Sequence, residues 1–121
     1  MADLAEARTI ALALPETTEQ DHHGIPSFRV RGKILATVPD DDHIRVMLTE
    51  DEIKAVAAAY PDVCAPFYWG KKLACVVVAL APATHELLDE LLTEAWLTRA
   101  PRSLIRQRAS SSDGTPDAAA T

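Results

Sequence analysis

The stretch Ser27-Phe28-Arg29-Val30-Arg31-Gly32-Lys33-Ile34-Leu35-Ala36-Thr37-Val38-Pro39-Asp40-Asp41-Asp42-His43-Ile44-Arg45-Val46-Met47-Leu48 decides the fold. Apolar and polar residues alternate along it, the period of a strand with one buried and one wet face. Gly32 breaks the alternation where a tight turn needs a residue tolerant of positive φ, and Pro39 with the three aspartates breaks it again. The pattern predicts three short antiparallel strands near residues 26–31, 33–38 and 43–48.

The period changes on both sides of this segment. Before it, Leu4, Ala7, Ile10, Ala11 and Leu14 recur at helical spacing until Pro15. The connection Glu16 to Gly24, with three acids, two histidines and no apolar periodicity, reads as a solvated loop. After it, Thr49 and Glu52 form a capping box, and Ile53, Val56, Ala57 and Tyr60 make the stripe of a second helix that stops at Pro61. Two further strands follow, Val63 to Trp69 and the valine-rich Leu73 to Leu80, joined by Gly70, Lys71 and Lys72. A last helix from about Thr84 buries Leu87, Leu88, Leu91, Leu92, Ala95 and Trp96 and closes at Pro101. Strands grouped in hairpins rather than alternating with helices imply an α+β fold. The expected order is α-β-β-β-α-β-β-α, with an antiparallel sheet of about five strands and helices on one face.

The 121 residues fit one domain, read as residues 1–108, and the Ser-, Ala- and Asp-rich end from residue 109 to 121 is expected to be a disordered tail. Apolar residues form 48% of the chain, enough for a packed core, and the first residues carry Asp3 and Glu6 rather than a basic and apolar leader, so a cytoplasmic protein is expected. The longest apolar run, Leu73 to Pro82, is about half of a membrane span. Cys64 and Cys75 lack a C-x-x-C spacing and read as reduced structural thiols.

Strand parity places Phe28, Val30, Ile34, Ala36, Val38, Ile44, Val46 and Leu48 on the buried face. Ser27, Arg29, Arg31, Lys33, Thr37, His43 and Arg45 then share the other face, which is basic. In a chain of net charge -6 such a patch is a local field able to hold phosphates, or else an ordinary solvated surface balanced by nearby acids. Lys71 and Lys72 add a basic hairpin tip beside Tyr68 and Trp69, which either stacks on bases or turns its aromatics inward. The carboxylates and histidines of residues 16–23 and 40–43 could hold a metal, but consecutive turn residues diverge, and turn formation explains them better. No G-x-S-x-G, G-x-x-x-x-G-K or G-x-G-x-x-G occurs, and four glycines leave no glycine-rich cofactor loop. Neither catalysis nor a cofactor is expected.

His23-Gly24-Ile25-Pro26-Ser27-Phe28-Arg29-Val30-Arg31-Gly32-Lys33-Ile34-Leu35-Ala36, then Tyr68-Trp69-Gly70-Lys71-Lys72, then Thr93-Glu94-Ala95-Trp96-Leu97-Thr98-Arg99-Ala100-Pro101 resemble the MmcQ/YjbR family over residues 3 to about 104. The resemblance implies a compact fold like that of CyaY, the bacterial frataxin, with a double-wing arrangement. It also implies the DNA-binding label that members carry by structural analogy. Members often have an aromatic soon after the basic pair, where this chain has Leu73 and Ala74. The iron-binding acidic helix of frataxin-like folds does not carry over, because the first helix offers only Asp3 and Glu6.

The expectation is a small non-enzymatic binding protein, a monomer or weak dimer without metal. It would bind DNA or RNA weakly and with sequence tolerance through Arg29, Arg31, Lys33, Arg45, Lys71 and Lys72. Two alternatives stand beside it: a protein interaction adaptor, and a small-molecule binder or enzyme with a site between sheet and last helix.

Overall fold

The computed structural model describes residues 2–106. The chain from residue 107 to 121, with the expected tail, lies outside the described residues.

Helix α1 (Leu4–Ala13) starts where Asp3 accepts the Glu6 backbone N–H at 2.8 Å, one of the donors a helix start leaves free. Two hairpins follow: β1 (Thr17–His22) with β2 (Ile25–Val30), and β2 with β3 (Lys33–Asp40). Their two-residue turns, His23-Gly24 and Arg31-Gly32, have positive φ at both positions, 53° and 89° then 51° and 82°. Those are the angles of the turn that matches strand twist, and glycine supplies the second at least strain. Strand β4 (His43–Val46) follows β3, and α2 (Glu50–Ala59) opens on the expected capping box, with both Thr49 and Glu52 hydrogen bonds formed. Strands β5 (Cys64–Trp69) and β6 (Lys72–Ala79) make the last hairpin, and α3 (His85–Arg99) is capped by Thr84.

The six strands form one antiparallel sheet in the order β1-β2-β3-β4-β6-β5. The helices cover one face of it. Phe28, Leu35, Ile44 and Val76 from the sheet meet Ile10, Ile53, Leu88 and Trp96 from the helices with no exposed surface on most of them. The indole N–H of Trp96 reaches across to the carbonyl of Pro15 at 2.9 Å, and His85 Nδ1 meets Glu6 Oε2 at 2.7 Å, so α3 is tied to both ends of α1.

The α+β class and the order of the expected elements hold. Two details change. The segment expected as a solvated loop, Glu16 to Gly24, holds the edge strand β1 and its turn. Its sequence TTEQDH is polar throughout and mostly exposed, which suits an edge and hides it from a search for apolar alternation. The second change is a bulge: Phe28 pairs with Ala36 but Arg29 pairs with Ile34, so Leu35 is an extra residue in β3. Leu35 fills the core, whereas Ile34, expected inside, shares the register of Arg29.

Cys64 and Cys75 are free thiols, both buried but on opposite faces. Cys64 packs in the core beneath the helices, where burial pushes its thiol up to about 11. Cys75 is outside that core and pairs with Phe67.

Candidate nucleic-acid interface on the open face of the sheet

The face without helices can be traced by register. Gln20, Ser27, Thr37, Arg45, Val77 and Ala65 form one paired row across all six strands. A fully solvated sheet face would leave this row wet. Instead, Ser27 has no exposed surface and Thr37 only 4%. Ser27 Oγ donates to the carbonyl of Gln20 at 2.8 Å and accepts from Arg29 Nε at 3.1 Å.

Beside them on this face is a cavity of about 220 Å³, lined in part by Thr37. Its wall includes His22, His23 and Ile25 from the first hairpin and Phe67 and Trp69 from β5. Strands β1 and β5 are the two edges of the sheet, and in a flat six-stranded sheet they would stand about 24 Å apart at ~4.8 Å per strand. Edges that far apart cannot line one small cavity. The sheet therefore curls over its open face into a cup, helped by bulges in β3 and between Phe67 and Tyr68 of the last hairpin.

Arg45 belongs to the cup's lining together with Thr37, Met47, Ala74 and Cys75. Its guanidinium carbon lies 4.6 Å from the centre of the Phe67 ring, a cation over an aromatic face. The Nε–H is fully enclosed and has no acceptor among the described residues. No carboxylate lines the cup. The positive charge of Arg45 also draws the Cys75 thiol down, against the larger upward push of burial. Trp69 stands edge-on to Phe67 at 6.4 Å and 62° and is 73% exposed, at the lip beside Lys71 and Lys72.

The six cations expected to share one surface divide into three groups. Arg29 is on the open face, directed at β1, where Nη2 reaches the carbonyl of Asp21 and the His22 ring at 3.4 Å. Arg45, Lys71 and Lys72 gather at the cup and its lip. Arg31 and Lys33 do not join them. Arg31 sits in the turn and is paired by both ends of its guanidinium to Glu16, which it holds below the usual carboxylate range. Lys33 is opposite Val30, a core residue, so the bulge places it on the helix-facing register at the sheet's end. The aromatics of the tip do not turn inward: Trp69 and Tyr68 are exposed.

The sequence offered His22 and His23 only as candidate metal ligands, and it gave no site role to Met47 or Phe67. Only Phe67 and Trp69 left a signal, two aromatics two apart on one strand face. In the aspartate turn, Asp40 Oδ1 accepts the Asp42 backbone N–H at 2.8 Å and lies 2.8 Å from His43 Nδ1, and the histidine holds its carboxyl below the ordinary range. Among the described residues no three metal-ligating side chains converge. No helix among them is long and apolar enough to cross a membrane.

Comparison with known proteins bears on the fold and family. The family model described as YjbR matches residues 12–98. The crystal structure of the Deinococcus radiodurans protein DR2400, a DUF419 domain, superimposes with a TM-score of 0.69 at 23% sequence identity, covering 81% of this chain and 78% of that one. At that identity the likeness is one of fold. No functionally curated protein matched the chain.

Proposed function

Given that the chain belongs to the YjbR family, we propose that it is a non-catalytic module that binds single-stranded nucleic acid, weakly and with tolerance of sequence, on the open face of the sheet. One observation carries this reading: Arg45, in a cup without a carboxylate, has no hydrogen-bond acceptor for an enclosed Nε–H and is stacked on Phe67. A half-buried arginine with no acidic partner among the described residues leaves a positive charge at the cup wall, and an anionic or carbonyl-bearing ligand compensates it. The exposed face of Trp69 offers a platform for a base, and Lys71 and Lys72 stand where a backbone would pass. A cup that ends in a cavity suits a flexible strand. A duplex, by contrast, presents a convex surface with its bases stacked inside.

The net charge of -6 does not oppose this arrangement at short range, because the acids are concentrated elsewhere. Glu50, Asp51 and Glu52 open α2, and Glu86, Asp89, Glu90 and Glu94 lie along α3, on the covered face of the sheet. At distances beyond a Debye length of about 10 Å the helix side repels nucleic acid, so binding should be weak and favoured by low salt. Burial drives the Cys75 thiol away from the thiolate that a cysteine nucleophile needs. A reduced, cytoplasmic protein, monomeric or weakly dimeric, fits two free cysteines and a polar edge strand β1.

The test is a titration of labelled single-stranded and duplex oligonucleotides at low salt, on the wild type and on Trp69→Ala. Single strands are expected to bind more tightly than duplex, and Trp69→Ala to lose about 1–3 kcal/mol, the worth of one stacked base. Equal affinity for both forms, or a Trp69→Ala variant that binds like the wild type, would count against the open face.

A groove between α2 and α3 favours the adaptor as a second reading. It encloses about 500 Å³ between apolar Leu48, Val56, Leu87 and Leu91 and the carboxylates of Glu52, Glu90 and Glu94. Its chemistry would suit a basic amphipathic segment of a protein partner.

A further inference from the structure

We propose that the cup is a site for one pyrimidine nucleotide, its ring inside the cavity and its phosphate at the mouth. The nucleotide is either free or an unstacked residue of a bound strand, and the strand form rests on the reading above. Volume bounds the size of the ligand, and the lining sets its class. A cavity of about 150 Å³ holds one benzene molecule. The 220 Å³ of the cup, which opens to solvent at its mouth, therefore has room for one nucleobase ring with its substituents.

The lining supplies the rest of the recognition. Ile25, Met47, Phe67 and Trp69 give apolar and aromatic walls to a flat ring. Arg45 brings five N–H donors and no acceptor, and its guanidinium makes no hydrogen bond or ion pair among the described residues. Together with the Thr37 hydroxyl, these donors match a ring that carries carbonyl oxygens at its edge, as uracil and thymine do. A ring whose edge is mainly an amino donor would leave Arg45 unsatisfied. With no carboxylate in the wall, nothing repels an attached phosphate, and His22 and His23 provide ring nitrogens on the first-hairpin side of the cup.

The proposal is tested by calorimetric titration with uridine 5′-monophosphate, adenosine 5′-monophosphate, inorganic phosphate and a short oligothymidylate. Two variants accompany the wild type: Arg45→Lys, which keeps the charge but loses the donor fork, and Ala74→Leu, which adds volume at the lining. Melting curves show that each is folded. Uridine monophosphate is expected to bind at least about tenfold more tightly than adenosine monophosphate or phosphate, a difference of about 1.4 kcal/mol, and both variants are expected to lose about that factor. If phosphate or adenosine monophosphate binds as well as uridine monophosphate, the cup does not select a ring and the proposal is wrong. If oligothymidylate binds while uridine monophosphate does not, and the Thr37 and Met47 methyl resonances stay in place, the proposal falls and the single-strand reading stands. If uridine monophosphate binds and oligothymidylate does not, the site is for the free nucleotide and the single-strand reading falls. Failure of all four probes on the wild type overturns both.

Discussion

Replacing Trp96 by alanine is expected to destabilise the domain by about 3–5 kcal/mol, the range for deleting a large aromatic from a closed core. Trp96 is fully enclosed, and it anchors α3 to the bend after α1 through the bond from its indole N–H to the Pro15 carbonyl. Truncation leaves a large cavity between α1, α3 and the sheet, and it removes the shorter of the two hydrogen bonds to that carbonyl, the other coming from the Thr17 hydroxyl at 3.5 Å. Against a total stability of about 5–15 kcal/mol for a domain, the loss is a large share. Urea unfolding followed by circular dichroism would measure it as a fall in midpoint with an unchanged slope. Trp96→Phe, which restores most of the volume but not the N–H, should recover more than half of the loss. A Trp96→Ala variant as stable as the wild type would show that α3 does not hold the sheet in the way described.

The second large effect concerns salt. If Arg45, Lys71 and Lys72 meet three phosphates of a single strand, neutralising all three should reduce the slope of log affinity against log salt by about two units, at ~0.7 per phosphate. Between 50 and 200 mM salt the wild type would then lose about twentyfold more affinity than the triple variant. The double variant Arg31→Ala, Lys33→Ala should change the slope little. Arg31 is already neutralised by Glu16, and Lys33 is on the helix-facing register. A larger slope change in the double variant than in the triple one would move the interface to the other end of the β2–β3 hairpin.

That contrast also shows how far the sequence can be read. Gly32 and the Thr49 and Glu52 pair mark a turn and a helix start by local chemistry alone, and both stand where expected. The apolar stripes of α1 and α3 are equally local. Strand β1 was hidden because a polar edge strand has no alternation to detect, and its one signal was His23-Gly24, a two-residue turn directly before β2. The bulge at Leu35 could not be seen, since Ile34 and Leu35 are both apolar and either could continue the period of two. That one-residue slip moved Ile34 outward and Lys33 off the basic face. The cup is less legible still. It exists only because the two sheet edges approach, which brings His22 and Phe67, 45 residues apart in the numbering, to one cavity.

The central claim, that the open face is the binding surface, is tested most directly by the two indole N–H resonances of the isotope-labelled protein. One is at the lip of the cup on the exposed Trp69 and the other is in the core on the buried Trp96. On addition of a short single-stranded oligonucleotide at low salt, the Trp69 signal is expected to shift progressively together with Arg45, Lys71 and Lys72, while Trp96 stays still. Shifts confined to Leu48, Tyr60, Leu87 and Glu94, or no shift at Trp69 at saturating oligonucleotide, would contradict it.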